Sequence, residues 1–259
     1  MKALRTLAAV AALLVATTPV LAGRNCEAKA PDAGAVQRSL QLAERTARAL
    51  DASGAQVVVL ARAGQDLSKY RLRWSHLGLA YRDGARWRIV HKLNQCGSAQ
   101  GDLYRQGLGE FFMDDLYQYE AAFAVPTQDI QARLLPLLQD NLRVDRMHTR
   151  AYSMVAYPWA QQYQQSNQWA IETLAYAVDD GVNSRERAQA WLRLRGYEPT
   201  VLRISPLVRL GARMSAGNIA FDDHPGEKRY SDRIETVTVD SVFEWLERAG
   251  LARPLQIVR

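Results

Sequence analysis

The sequence predicts an α+β fold in which an antiparallel sheet packs against helices. The stretch RWSHLGLAYRDGARWRIVHKLNQCG (residues 73–97) alternates apolar and polar residues on both sides of Asp83-Gly84, which is typical of a β-hairpin. Later segments, such as SNQWAIETLAYAVDDG, instead place apolar residues at helical spacing. No repeat or polar linker divides the chain. We therefore expect one domain over residues 23–259, with a core from about 55 to 180 and a C-terminal extension over 181–259.

The first half of the chain is predicted to contain one helix and most of the sheet. Residues 35–52 place apolar side chains every three or four positions, which predicts a helix. The β-branched run AQVVVLARAG predicts a strand that Gly64 ends, and the hairpin strands follow at 74–81 and 86–93. The aromatic-rich DLYRQGLGEFFMDDLYQY is expected to form a loop packed over a groove. QYEAAFAVP predicts a strand that Pro126 ends.

The second half of the chain is predicted to be mainly helical. Thr127 is expected to cap a helix that Pro136 kinks, and residues 141–158 are expected to be irregular. A helix is then predicted for SNQWAIETLAYAVDDG. Three further helices are predicted to begin at the capping residues Ser184, Ser205 and Asp240. PTVLRI and IETVTV predict two short strands between these helices.

Residues 1–22 have the composition of a signal peptide. Two basic residues precede an apolar run over 7–21, and Val20-Leu21-Ala22 offers the small residues of a cleavage site. The run is too short to span a bilayer comfortably. We expect cleavage after Ala22 and a periplasmic or secreted protein that has no transmembrane segment.

The charge of the chain argues against a nucleic-acid partner. Lys and Arg number 33 against 27 Asp and Glu, a formal net charge of +6, and no run of five like charges occurs. A basic groove for nucleic acid is therefore not expected. Cell-envelope components, including anionic polymers and lipids, remain open as partners, and no cofactor is expected.

The chain contains two cysteines, Cys26 and Cys96. In an oxidising compartment such a pair predicts a disulfide, and closing a loop of about seventy residues would contribute on the order of 4 kcal/mol. The alternative makes Cys96 a nucleophile near His91. A bridged sulfur cannot attack, so we favour the disulfide.

Two histidines near the open end of the predicted hairpin are candidates for acid–base chemistry. His76 shares a strand face with Trp74, Gly78 and Ala80, and His91 lies on the partner strand. One imidazole could act as a general base while the second group fixes its tautomer. The alternative is a hydrogen-bonded core His76 and a solvated His91.

Ser166 stands where the helix of SNQWAIETLA begins. Backbone N–H groups at a helix start are unpaired and could stabilise negative charge that develops beside a nucleophile. The alternative is that Ser166 or Asn167 only caps the helix.

The three motifs together resemble the circularly permuted papain-like folds. SHLGLAY, RIVHKLN and QSNQW stand where lecithin–retinol acyltransferase-like proteins and permuted cell-wall peptidases have a base, its polar partner and a cysteine nucleophile. The resemblance covers roughly residues 70–180. It implies a hydrolase or acyltransferase with Ser166 as nucleophile, His76 as base and His91 as orienter. The predicted envelope location makes peptide, amide or ester bonds of cell-wall or lipid components the expected substrates.

Over nearly the whole mature chain, the sequence resembles a secreted bacterial family known only as domain of unknown function 2145. HKLNQCGSAQGDLYRQGLGEFFMDDLYQYEA and NIAFDDHPGEKRYSDRIETVTVDSVFEWL carry this resemblance, which implies no particular activity.

Serine at the nucleophile position is a departure from the papain-like pattern. A helix start and an imidazolium can ionise a thiol, whereas a serine hydroxyl needs a base to remove its proton during attack. A non-catalytic envelope binding protein that keeps the groove is therefore the alternative function. Residues that could line such a groove are Asn94, Asn167, Trp159 and Trp169.

A third possibility is a metal-binding protein. FDDHPGEKR brings carboxylates next to an imidazole, with Asp223 and His224 as candidate ligands, and His76 with His91 form a second candidate pair. The alternative for Asp223 and His224 is a solvated turn at Pro225-Gly226, which Asp223 braces.

Overall fold

The computed structural model describes residues 32–259, except residue 115 and the side chains of residues 213–215. The predicted signal peptide and Cys26 lie outside the described residues. Cleavage after Ala22 and the disulfide therefore stay predictions. Within the described part of the chain, no helix has both the length and the apolar composition needed to cross a membrane.

The α+β prediction is confirmed by an antiparallel sheet flanked by helices. The strands are β1 (Val57–Ala63), β2 (His76–Asp83), β3 (Arg86–Asn94), β4 (Gly101–Gly107), β5 (Gln118–Ala124), β6 (Thr200–Arg203), β7 (Arg233–Thr236) and β8 (Gln256–Val258). Six of them form one sheet in the order β4-β3-β2-β1-β5-β8, and β6 pairs with β7 separately. The β2–β3 hairpin turns at Gly84, whose φ of 59° suits a residue without a side chain.

Helices cover both faces of the large sheet. The helices are α1 (Ala33–Ala52), α2 (Leu108–Phe112), α3 (Gln128–Gln139), α4 (Asn141–Asp145), α5 (Ser166–Val178), α6 (Arg185–Leu194), α7 (Pro206–Ser215), α8 (Gly226–Arg229) and α9 (Val239–Arg248). Helix α8 packs instead against β7 of the small sheet. Ser184 and Ser205 cap α6 and α7 as predicted, because each side chain accepts a hydrogen bond from a backbone N–H of the first turn.

Three local predictions are wrong. Thr238, not Asp240, caps α9, because the Asp240 carboxylate instead accepts hydrogen bonds from backbone N–H groups of the segment before β2. Residues 141–158 are not wholly irregular, since Asp140 caps the short helix α4. The aromatic-rich segment after residue 101 forms β4 and α2 rather than a loop, and Phe111 and Phe112 are fully buried.

The large sheet separates two apolar cores. All seven residues of β1 are buried, and their side chains alternate between the two faces. Val57 and Val59 belong to the core shared with α3, α5 and α9, whereas Val58 and Leu60 belong to the core shared with α1 and α2. A third, smaller cluster lies beneath the β6–β7 pair and includes Leu202, Ile204 and Phe221.

A buried carboxylate on α5 connects that helix to α6 and to the segment before it. Glu172 is fully buried and pairs with Arg185 of α6, with 2.8 Å between Nε and Oε2. Gln164 and Gln189 also donate to this carboxylate, at 2.6 and 2.7 Å. Because both charges are inside the protein, the removal of either one leaves the other without compensation.

Lys92 of β3 connects this network to the sheet. Its ammonium donates to the backbone oxygens of Thr149 and Gln164 and to the Gln164 side chain, at 2.5, 2.7 and 3.1 Å. Burial lowers the pKa of Lys92 to about 7, and the nearby Arg185 charge acts in the same direction. The strand, the segment before α5 and α5 itself therefore share one chain of polar contacts.

We expect the Glu172→Gln variant to lower the free energy of unfolding by about 3 kcal/mol, because it leaves the Arg185 charge buried without a counter-charge. Urea unfolding monitored by circular dichroism measures this difference. Glu186→Gln is the matched control, since Glu186 is exposed on α6 and should change stability by less than about 0.5 kcal/mol. Equal stability of the two variants would contradict the structural role of the buried pair.

Candidate binding site

His76 and His91 are in direct contact. His76 Nε2 lies 2.8 Å from His91 Nδ1, and His91 Nε2 lies 2.9 Å from Oε1 of Gln106 on β4. An amide oxygen only accepts hydrogen bonds, so His91 Nε2 donates to Gln106 and His91 Nδ1 accepts from His76. The neutral His76 ring then carries its proton on Nε2 and has a lone pair on Nδ1.

His91 is neutral because of where it lies. It is fully buried, and burial lowers its pKa to about 3, with the positive charge of Arg62 acting in the same direction. The alternative of a solvated His91 at a strand end is therefore wrong. Close packing positions this ring, since a Cβ at Gly78 would lie 2.4 Å from Ile89 Cγ2 and 3.1 Å from His91 Cβ.

The histidine pair lies on the sheet face that α1 and α2 cover. The ring centroid of Phe111 in α2 is 6.0 Å from that of His76 and 5.3 Å from that of His91. The next residue, Leu77, belongs to the core on the opposite face, where α5 packs. Because side chains alternate along β2, the His76 imidazole and helix α5 lie on opposite faces of the sheet.

Helix α5 is anchored to the start of β2 by its own first turn. The Asn167 side-chain oxygen accepts a hydrogen bond from Leu77 N at 3.2 Å. Gln165 caps the helix, because its side-chain oxygen accepts from Asn167 N at 3.0 Å. Neither Ser166 nor Asn167 therefore serves as the helix cap.

The hydroxyl of Ser166 lies 3.5 Å from that of Tyr152. Burial raises the pKa of Tyr152, so its phenol stays protonated at neutral pH and can donate a hydrogen bond. The pair stands at the N-terminus of α5, where the helix dipole favours a negative or carbonyl oxygen. This corner of the molecule can therefore bind a polar acceptor group.

These two residues border a cavity of about 510 Å³. His76 borders it as well, at the end of the sheet where β2 begins, and so does Asn167. Residues of β6, α7 and β7 cover the cavity on one side, and residues 65–75 form another wall. The volume is within the range of about 300–1,000 Å³ that is typical of small-molecule sites.

Three other residues of the predicted groove have their contacts elsewhere. Trp169 is fully buried in the core, and Trp159 packs against Tyr197 and the guanidinium of Arg193. Asn94 holds the β3–β4 connection, where its Nδ2 donates to two backbone oxygens. None of the three borders the cavity of Ser166.

Asp223 and His224 contact each other rather than solvent. His224 Nδ1 lies 2.9 Å from Asp223 Oδ1, and His224 Nε2 donates to the Glu235 backbone oxygen at 3.0 Å. Asp223 also accepts from Tyr157 N at 2.8 Å. The alternative of a solvated turn is therefore wrong for these two side chains. Nowhere in the described residues do three His, Cys, Asp or Glu side chains group as a metal site would require.

Cys96 is exposed in the connection between β3 and β4. Its predicted partner, Cys26, is outside the described part of the chain, so the disulfide stays a prediction.

Three parts of the site were not identified from the sequence. They are Gln106, Tyr152 and the segment over residues 200–239 that covers the cavity, called the covering segment below. Gln106 is one of many glutamines, and only the pairing of β3 with β4 brings it beside His91. Tyr152 lies in a segment without periodicity. The covering segment depends on contacts between parts of the chain that are distant in sequence.

The fold and the site define an α+β protein with a mainly apolar cavity at one end of its sheet. The chain belongs to a family of uncharacterized proteins conserved in bacteria, domain of unknown function 2145, whose model matches residues 49–246. No curated protein and no solved structure matches the chain. The family description names no activity, so the function must be inferred from the site.

We expect stability to fall as the pH drops below 6.5, because the unfolded His91 takes up a proton there and the folded His91 does not. The sign follows from a folded pKa that is lower than the unfolded one, so this contribution is fully present above pH 6.5. It should amount to about 2 kcal/mol between pH 7.5 and pH 5.

Urea unfolding of the wild type and of His91→Gln at both pH values measures this contribution as the difference between the two pH dependences. Identical pH dependences would show that His91 is not held neutral in the folded protein.

Proposed function

We propose that this protein is a periplasmic or secreted binding protein for a small molecule. The observation that carries the proposal is the cavity at the N-terminus of α5, which has a polar corner at Ser166 and Tyr152. Its size suits a small ligand, and a concave, mainly apolar site with few polar groups is the usual form of such sites.

The hydrogen bonds of the candidate catalytic groups support binding over catalysis. His76 donates to His91 on the α2 face, whereas the Ser166 hydroxyl is paired with Tyr152 on the α5 face. A serine nucleophile needs a base within hydrogen-bond reach to take its proton. The opposite placement of the two side chains disfavours that transfer.

The compartment forms part of the same proposal. The signal-peptide pattern over residues 1–22 supports export, and a bridge between Cys26 and Cys96 suits an oxidising compartment. Envelope components are then the ligands that the protein would meet.

A serine hydrolase or acyltransferase with a permuted papain-like core is the second candidate. It is favoured by one observation, namely that His76 and Ser166 border the same cavity. His76 would take the Ser166 proton on Nδ1 as Oγ attacks a substrate carbonyl carbon, and would return it to the leaving alcohol or amine. His91 would hold the His76 tautomer, and water or an acceptor alcohol would release the acyl group.

We expect the purified protein to retain a small molecule that native mass spectrometry detects as a fixed added mass. Leu202→Trp should abolish the added mass, because Leu202 of β6 borders the cavity and a larger side chain would fill it. Val201→Trp is the matched control, since the neighbouring side chain is 42 % exposed on the other face of β6.

A wild type without any bound small molecule, or a Leu202→Trp variant that keeps the full added mass, would contradict a binding function of this cavity.

Labelling with a fluorophosphonate probe tests the catalytic candidate. A working nucleophile predicts that the probe modifies Ser166, that Ser166→Ala abolishes labelling and that His76→Ala slows it by roughly 100-fold. Ser75→Ala is the matched control, because Ser75 borders the same cavity but its hydroxyl is hydrogen-bonded to the backbone at Gly64.

The binding proposal predicts that the probe modifies neither serine. His76-dependent labelling of Ser166 would establish the second candidate instead.

A further inference from the structure

Apolar side chains form most of the cavity wall beyond Ser166. They come from the segment before β2, from the loop before α5 and from the covering segment, and include Leu72, Trp74, Val155, Leu202, Ile204 and Phe221. The charged residues of the wall, Asp66 and Lys69, are both exposed and therefore lie at the mouth. An occupant of the interior meets hydrocarbon and aromatic surface along most of its length.

Most polar side chains of the wall are already hydrogen-bonded within the protein. Gln165 uses its oxygen to cap α5 and its Nε2 to donate to Thr236 Oγ1 at 3.1 Å. Asn167 accepts from Leu77 N, and Ser75 accepts from Gly64 N at 2.7 Å. A peptide or a glycan needs hydrogen-bonding partners along its length, so this wall suits neither.

The Ser166–Tyr152 corner differs, because these two hydroxyls lie 3.5 Å apart, a long hydrogen-bond distance, and the Tyr152 hydroxyl also interacts with the Ser166 backbone. A ligand oxygen can replace that weak contact. The N-terminus of α5 adds a positive potential at the same place, so a carbonyl or carboxylate group is the favoured head group. The ligand that suits this cavity therefore has a polar group at one end only.

The covering segment carries apolar side chains both on its solvent-exposed surface and on the side that faces the cavity. Ala212 of α7 borders the cavity, whereas Leu207 and Leu210 of the same helix are 82 % and 59 % exposed. A ligand that approaches across this helix meets hydrocarbon surface before it enters. This arrangement suits a molecule with a long apolar part.

We infer that the cavity binds an acyl chain, with the carbonyl or carboxylate head at Ser166 and Tyr152 and the hydrocarbon part against the apolar wall. This inference rests on the proposed function and names its ligand class. A free fatty acid and a fatty-acyl ester share this chemistry.

Titration with cis-parinaric acid, a fluorescent fatty acid, tests the inference directly. The wild type should enhance its fluorescence in a saturable way at one equivalent. Leu202→Trp and Ala212→Trp should each raise the Kd by roughly tenfold or more, because both side chains would enter the space of the chain. Ser166→Ala should raise the Kd by roughly two- to tenfold, because the head group loses one hydrogen-bond partner while the hydrocarbon contacts remain.

Two matched controls separate a filled cavity from a disturbed fold. Val201→Trp lies on the outer face of β6, and Leu207→Trp on the exposed side of α7, so both should keep the wild-type Kd. Far-UV circular dichroism verifies that each variant is folded. Displacement of the probe by palmitate, compared with methyl palmitate, distinguishes a free acid from an ester as the preferred ligand.

No saturable binding by the wild type would overturn the inference without any variant. Equal Kd values for folded Leu202→Trp and Val201→Trp would overturn it as well. If native mass spectrometry finds a bound polar molecule while parinaric acid does not bind, the binding function stands and the acyl-chain inference fails. If native mass spectrometry finds no bound molecule and parinaric acid does not bind either, both the binding function and the acyl-chain inference fail.

Discussion

The buried ion pair between Glu172 and Arg185 is the interaction on which the geometry of the cavity depends. It joins α5 to α6 inside the protein, and the guanidinium also donates to the Gln161 backbone oxygen in the segment before α5. Gln164 extends the network to Lys92 of the sheet. Gln164 immediately precedes the cap residue of α5, so the same contacts place Ser166 at the cavity wall. Removal of either partner would leave the other charge buried without compensation, so both residues are needed to hold this arrangement.

The two faces of the sheet give the candidate residues different environments. On the α2 face, His91 is kept neutral by burial and by the Arg62 charge, so it can orient His76 but supplies no negative charge. In Ser-His-Asp sites the carboxylate stabilises the imidazolium that forms during attack. Here the group that orients His76 is a neutral imidazole, and the Ser166 hydroxyl contacts Tyr152 on the opposite face, which agrees with a binding role for Ser166.

The hairpin, and the position of both histidines near its open end, could be predicted from the sequence, because alternation and the Asp83-Gly84 turn are local signals. Their direct contact is known only from the structure. Alternation also places Ala80 on the face of His76, as predicted, whereas Trp74 precedes β2 and belongs to the opposite core. It does not indicate which face α5 covers, since that depends on packing between distant segments. The cap of α9 was missed for a related reason. Thr238 and Asp240 are both residue types that cap helices well. Asp240 does not cap α9, because its carboxylate accepts hydrogen bonds from the segment before β2, which is distant in sequence.

The cavity was beyond sequence prediction because its wall comes from four separate regions of the chain. Leu202, Val208 and Phe221 are ordinary apolar residues in their own segments, and nothing local marks them as neighbours of Ser166. Periodicity identifies a buried side chain but does not say whether a core or a ligand buries it.

The separation of His76 and Ser166 in a crystal structure of the protein, purified with any ligand that it retains, tests the central claim most directly. We expect His76 Nε2 to be hydrogen-bonded to His91, its imidazole to be out of hydrogen-bond reach of the Ser166 hydroxyl, and ligand density to fill the cavity beside Ser166. An imidazole nitrogen within about 3.2 Å of Ser166 Oγ, in a cavity that holds only water, would contradict the binding account and support a catalytic pair.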